Sequence, residues 1–237
     1  MVHTSPSPRY SFLFDFDSTL VGLESLDTLI ALSLREQCDP EDMPVILRAI
    51  EAITDAGMEG RITLHASIAR RLRKARIHRR HLRMIVPVLL QSVTPGIAEI
   101  IDLMHKNDCP VFVVSGALME CVLPVADALH IPVSSVHANT GIFDAEGYLT
   151  GVAAGPLTES DGKVRCIRSL KQSGQLRGSI VMIGDGISDL LPYQEGVADE
   201  FIGAGFHRER AAVRSGAPQY CSSVSALHSS ISSLLFS

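Results

Sequence analysis

The sequence predicts an α/β fold: a Rossmann-like parallel sheet core with an inserted helical cap domain. Three observations carry that expectation. An aromatic and aliphatic run, Phe12-Leu13-Phe14, stops abruptly at two carboxylates, Asp15 and Asp17, as a buried strand does where it delivers polar groups to its end. The stretch 22–92 then shows only the three-to-four spacing of amphipathic helices. From Thr94-Pro95-Gly96 onward, helix and strand patterns alternate, which means a parallel sheet with helices on both faces. The core is accordingly assigned to 1–21 and 93–237, and the cap to 22–92.

Residues 1–9, polar and broken by proline, are expected to form a loose tail. Four apolar stripes predict the cap helices: Leu26, Leu29 and Ile30; Val45, Ile46, Ala49, Ile50 and Ile53; Leu64, Ile68 and Leu72; Leu82, Ile85, Val86 and Leu89. Breaks fall at Asp39-Pro40, between Gly57 and Gly60, and around Arg76 to His78. Past the cap, a helix over Ile97–Lys106 leads to a strand over Pro110–Val114, which ends in Ser115-Gly116. A helix over Met119–Leu129 and a short strand around Val133–His137 follow. Ile142-Phe143 and Tyr148-Leu149 flank an acidic-glycine turn and predict a β-hairpin. Ser160 or Asp161 caps a helix over Lys163–Gln172. The strand Ser179–Ile183 runs into Gly184-Asp185-Gly186-Ile187-Ser188-Asp189, and the strand Glu200–Ile202 into Gly203-Ala204-Gly205. A helix over Ser223–Leu235 closes the chain.

Composition bounds the class. With 237 residues, 46% of them hydrophobic and 20% charged, the chain has an ample core and reads as soluble and globular. Trp is absent and aromatics are few, so that core rests on Leu, Ile, Val and Ala. No apolar run approaches the roughly 18 residues of a membrane span, and no basic segment precedes an apolar one as in a signal peptide. The five cysteines are odd in number, scattered and never in a C-x-x-C pair, which argues for reduced thiols in a cytoplasmic compartment and against zinc. Charge is uneven: eight Lys or Arg and no acid lie between Arg70 and Arg83, leaving 13 basic against 26 acidic residues elsewhere. Such a patch draws in anions, small or polymeric, or forms the solvated face of a helix. With no aromatic side chain interleaved to stack bases, no nucleic-acid partner is expected, and no membrane.

The chemistry concentrates where ligands of open α/β sheets bind, beyond the carboxyl ends of the strands. Asp15 and Asp17, at i and i+2, leave an extended chain on the same side, and two such charges need a cation between them. Mg²⁺ suits them, being hard and content with one or two carboxylates. The alternative is a strand whose acidic end caps the next helix through Asp17 or Ser18, and this stretch alone leaves both open. Ser115-Gly116 offers a hydroxyl and an approachable N–H to an oxyanion, or is an ordinary turn. The acidic glycine loop with Asp185 and Asp189 repels phosphate unless a metal intervenes, which favours Mg²⁺. Lys163 alone reads as a surface lysine; between two acidic loops it becomes a cation within the site.

In this order, Asp15/Asp17, Ser115, Lys163 and Asp185/Asp189 match the four motifs of the haloacid dehalogenase-like phosphatases. The chain resembles that superfamily, and within it the phosphoserine phosphatase family, through DFDSTLVGLESLD (15–27), MEGRITLHASIARRL (58–72), TPGI (94–97) and VMIGDGISD (181–189). The resemblance implies that Asp15 is a nucleophile forming an aspartyl-phosphate, that Asp17 is the proton donor and acceptor, and that Lys163, Ser115 and the Gly116 amide hold the phosphate. It implies Mg²⁺ held by Asp15, Asp185 and the main-chain carbonyl of Asp17, with Asp189 orienting Lys163 or metal-bound water. It also implies that Glu24 meets a substrate ammonium, that Arg71 meets its carboxylate, and that Met58 borders the serine moiety. The implied partner is a small phosphorylated metabolite, with the chain a monomer or homodimer. The chain departs from the family at Glu59, Leu64, Ala117 and Ala204, positions expected to reshape the substrate side of the pocket.

Overall fold

In the computed structural model, which describes residues 8–236, the first apolar run forms the strand at the centre of the sheet. This strand, β1 (Tyr10–Phe14), is buried along its whole length. Of the expected tail, residues 1–7 lie outside the described residues. Four helices stand at the four apolar stripes: α1 (Ser25–Leu34), α2 (Met43–Met58), α3 (Leu64–Leu72) and α4 (Arg79–Gln91). Next come α5 (Ile97–Lys106), β2 (Val111–Leu118), α6 (Met119–Ala128), β3 (Val136–Asn139) and the hairpin of β4 (Gly141–Phe143) with β5 (Leu149–Val152). The chain ends through α7 (Gly162–Gln172), β6 (Ser179–Gly184), α8 (Ile187–Gln194), β7 (Glu200–Ala204), α9 (Ala211–Gly216), β8 (Gln219–Cys221) and α10 (Val224–Phe236).

The large sheet has the order β3-β2-β1-β6-β7-β8 and is parallel throughout. Alternation along β1 divides the core. Phe12 and Phe14 join Ile100, Val125 and Leu227 on one face, while Leu13 joins Ile167 and Leu190 on the other. Both faces are covered, so the strands read as continuous apolar runs.

Local structure departs from expectation in particular places. β2 does not end at Val114 but continues through Ser115-Gly116 to Leu118, with its register against β3 slipping between Val114 and Leu118. There the Ser115 hydroxyl accepts the Ala117 N–H at 3.2 Å, a local bond in place of a ladder bond. The strand expected from Val133 begins at Val136, because Val133–Ser135 coil into a 3₁₀ turn behind Pro132. Asp161 stands at the N-cap of α7 without a side-chain bond to the helix backbone, and its Oδ1 lies 3.9 Å from Nη1 of Arg165 on the same helix. The sequence pattern does not mark the short elements α8, α9 and β8; α8 carries Pro192 and the other two span only six and three residues.

The segment bearing α1–α4 leaves and re-enters the core at one crossing. Val21 pairs antiparallel with Val93, the Gly22 N–H donates to Ser92 O at 2.8 Å, and the Thr94 N–H donates to Leu20 O at 2.9 Å. The Thr94 hydroxyl gives its one proton to Thr19 O (2.8 Å), so the His207 Nε2–H, 2.8 Å away, is the donor to Thr94 Oγ1. Of the four helices, α2 and α3 reach over the carboxyl ends of the strands. Met58 and Leu64 come so close to Gly186 and Gly116 that a Cβ there would lie 2.9 and 3.0 Å from them. The hairpin supports the helices from the side: Leu149 N–H donates to Ile77 O at 2.7 Å, and the Arg76 and Arg79 guanidinium groups lie 4.1 and 3.9 Å from the centroids of the Tyr148 and Phe143 rings.

Candidate active site

Asp15, the first residue past β1, is buried, and its Oδ1 lies 2.6 Å from Lys163 Nζ. Lys163, from the first turn of α7, also bonds Asp189 on α8, and Asp189 further accepts the Gly186 N–H at 2.9 Å. Burial pulls the Lys163 pKa down, but the Asp15 and Asp189 charges outweigh it and hold the ammonium protonated. Burial, then the Asp15 charge, raises Asp189 to about 6 against the opposing pull of Lys163. Asp185, just past β6, is raised well above the ordinary carboxylate range, chiefly by burial. Oxygens of Asp15, Asp185 and Asp189 lie within 4.8 Å of one another.

Asp17 diverges from Asp15. The strand has ended at Phe14, so the two side chains no longer follow strand alternation. Asp17 Oδ1 accepts the backbone N–H of Ser25, the first residue of α1, and Oδ2 its hydroxyl, both at 3.0 Å. Asp17 therefore caps α1 from a distance while still lining the cavity. Burial, then the Glu24 and Asp15 charges, raises its pKa well above the usual range. Ser18 is held in the left-handed region (φ 54°) and donates its hydroxyl to Glu24 Oε1 at 3.0 Å.

The cavity between helices and sheet is lined by Asp15, Asp17, Glu24, Met58, Arg71, Ser115, Gly116 and Lys163. It thus brings together every residue given a catalytic or substrate-binding role from the sequence, while Asp185 and Asp189 lie in the carboxylate cluster they share with Asp15. Arg71 is buried; its Nη1 donates to Asp27 Oδ1 (3.0 Å) and Thr54 Oγ1 (3.2 Å), while its Nε has no hydrogen-bond partner among the described residues. Burial, then the Asp27 charge, raises Glu24, opposed by Arg71.

Sequence reasoning missed Arg210. It is buried beside the site, donates from Nε to Asp185 Oδ2 at 2.9 Å, and has Nη2 3.8 Å from Glu24 Oε1. No local spacing marks it; the only sequence signal is an arginine shortly after a strand-end glycine loop.

The haloacid dehalogenase-like hydrolase family model matches residues 12–191. Human phosphoserine phosphatase is 32% identical over 212 residues, covering 87% of this chain and 86% of that one. The chain belongs to the phosphoserine phosphatase family of haloacid dehalogenase-like hydrolases and is a phosphatase. The Drosophila melanogaster phosphoserine phosphatase is 27% identical over 208 residues, 87% of this chain and 72% of that one. A phosphoserine phosphohydrolase-like protein from Francisella tularensis superposes with a TM-score of 0.84 at 29% identity, over 94% of this chain and 99% of that one.

The phosphatase's carboxylate cluster suits a hard divalent cation. Asp185 Oδ1 is buried without a hydrogen-bond partner among the described residues, and the donor set is all carboxylate oxygen, as hard divalent cations take. Among the departures from the family pattern, Glu59 turns outward to Arg61 (2.6 Å) and does not line the cavity, contrary to expectation. Leu64 and Ala117 do line it. The five cysteines are free thiols, and no helix of the described residues is long and apolar enough to cross a membrane.

Proposed function

We propose that the phosphatase hydrolyses O-phospho-L-serine to L-serine and phosphate, with the helical segment 22–92 serving as a cap over the site. The observation that carries this reading is the buried Arg71 Nε, without a hydrogen-bond partner among the described residues and on the same cavity as the acidic Glu24 and the Asp15–Lys163 pair. A substrate bearing phosphate, carboxylate and ammonium meets a complementary group at each end: Lys163 for the phosphate, Arg71 for the carboxylate and Glu24 for the ammonium.

In this reading Asp15 attacks phosphorus and forms an aspartyl-phosphate, dividing one hard displacement into two. Asp17, whose pKa is raised chiefly by burial, gives its proton to the leaving alkoxide and then takes one from the attacking water. Lys163, the Ser115 hydroxyl and the Gly116 amide hold the phosphoryl oxygens as charge shifts among them. Mg²⁺ held by Asp15, Asp185 and the Asp17 carbonyl would neutralise phosphate charge there. Asp189 orients Lys163. The substrate is a small metabolite of a reducing, cytoplasmic compartment.

The apolar wall of the cavity, with Leu64, Leu118, Leu149 and Val152, favours a second reading in which the ester is larger than phosphoserine. Phosphate release from O-phospho-L-serine, O-phospho-L-threonine, a sugar phosphate and an aryl phosphate, with Mg²⁺ or chelator, decides between them. Strong Mg²⁺-dependent preference for phosphoserine, abolished by Asp15→Asn, is expected. Arg71→Ala is expected to lower kcat/KM for phosphoserine at least tenfold more than for the aryl phosphate, since a charged hydrogen bond contributes about 1.5–3 kcal/mol. Equal losses on both esters would place Arg71 outside substrate recognition.

A further inference from the structure

Helix α2 is tied to the segment after β7 by a chain of ion pairs. Arg208 donates from Nη1 to Asp55 Oδ1 at 2.8 Å and from Nη2 to Glu51 Oε1 at 3.2 Å. Glu51 and Asp55 are one helical turn apart on α2, so one planar guanidinium spans both. The same Asp55 Oδ1 lies 3.5 Å from Nη1 of Arg210, whose Nε bonds Asp185 at 2.9 Å. Asp55 is thus shared by two arginines of unlike setting. Arg208, with its side chain 33% exposed, faces solvent, while Arg210, 7% exposed, faces the site.

We propose that Asp55 and Arg208 are positioning residues: a latch through which closure of α2 fixes Arg210 against Asp185 and Glu24. Without Asp55, Nη1 of Arg210 loses its carboxylate. Nη2 has no hydrogen-bond partner among the described residues, which leaves the Nε bond to Asp185 as the group's one strong tether. A guanidinium held by one edge swings; held by two it does not. Arg208 supplies what brings Asp55 into range, and because that pair is partly exposed, salt weakens it. The site therefore reaches its full arrangement only when α2 is seated on the segment that carries both arginines. The kinetic part of this inference rests on the proposed phosphoserine activity; the structural part does not.

Hydrogen exchange of the ligand-free protein tests the latch directly. In Arg208→Ala the amides of 43–58 and 205–210 are expected to exchange about three- to fivefold faster, as loss of partly exposed ion pairs implies, with Arg208→Lys in between. Asp55→Asn, which weakens both arginine contacts, is expected to give about tenfold. Amides of α5 and α10 should stay at wild-type rates. In turnover, Arg208→Ala should raise KM about threefold with kcat within twofold, and Asp55→Asn should lower kcat/KM about tenfold. Wild-type exchange over 43–58 and 205–210 in both Arg208→Ala and Asp55→Asn, or equal acceleration along the whole chain, would overturn the latch. If no ester is hydrolysed, the phosphoserine reading falls while the exchange comparison still decides the latch.

Discussion

Two carboxylates of one short turn have been given different work by their neighbours. Asp15 meets Lys163, whereas Asp17 is held by the amide and hydroxyl of Ser25, and burial raises its pKa and so favours its protonated form. A proton donor matters when the leaving group is a poor one. Asp17→Asn is therefore expected to slow phosphoserine turnover roughly 10²–10⁴-fold, while an aryl phosphate, whose phenolate leaves without help, loses far less. Comparing kcat for the two esters in the same variant checks this. At this scale the sequence is informative wherever a strand end or helix start carries the group, as for Asp15, Asp185 and Lys163. It is silent on Arg210, because a loop of irregular course brings that guanidinium to Asp185 and Glu24 and no periodicity describes such a course. It likewise misjudges Glu59, whose direction is decided by a nearby Arg61.

Among the elements, the basic stretch 70–83 is divided between tasks that only the fold reveals. Arg71 enters the cavity, Arg80 pairs with Glu36, and Arg76 and Arg79 lie on rings of the hairpin, while Arg83 stays exposed. The hairpin partners are more than sixty residues away along the chain, so charge counting sees a patch where the structure holds a joint. Arg79→Ala should cost about 0.5–1 kcal/mol and lower the melting temperature by a few degrees, with Arg83→Ala near zero. Thermal unfolding of the two variants side by side is the check. The four helices of the insertion are legible since each carries an apolar stripe at helical spacing; α9 and β8 are too short to show any period.

For the molecule as a whole, the buried carboxylates set a tension between stability and chemistry. Asp17, Glu24, Asp185 and Asp189 all have folded pKa values above their ordinary ones, with Asp189 at about 6. The folded protein then binds more protons than the unfolded chain between those values and about 4, so these groups make metal-free stability rise as pH falls through that window. At neutral pH they weigh against folding. Asp185→Asn is expected to match or exceed the wild-type melting temperature without metal, to flatten its dependence above about pH 4, and to show none of the stabilisation expected when Mg²⁺ is added to the wild type. Differential scanning calorimetry with and without Mg²⁺ measures all three. The crossing at Val21 and Val93 bears on how the chain reaches this state. β1 must pair with β2 and β6, both distant in sequence, and joining distant segments is slow because loop closure comes before contact. With its two ends already hydrogen-bonded to each other, the packed stretch 22–92 has almost no span. A chain that folds its helices first meets β2 as a near neighbour of β1, and a distant pairing becomes kinetically local.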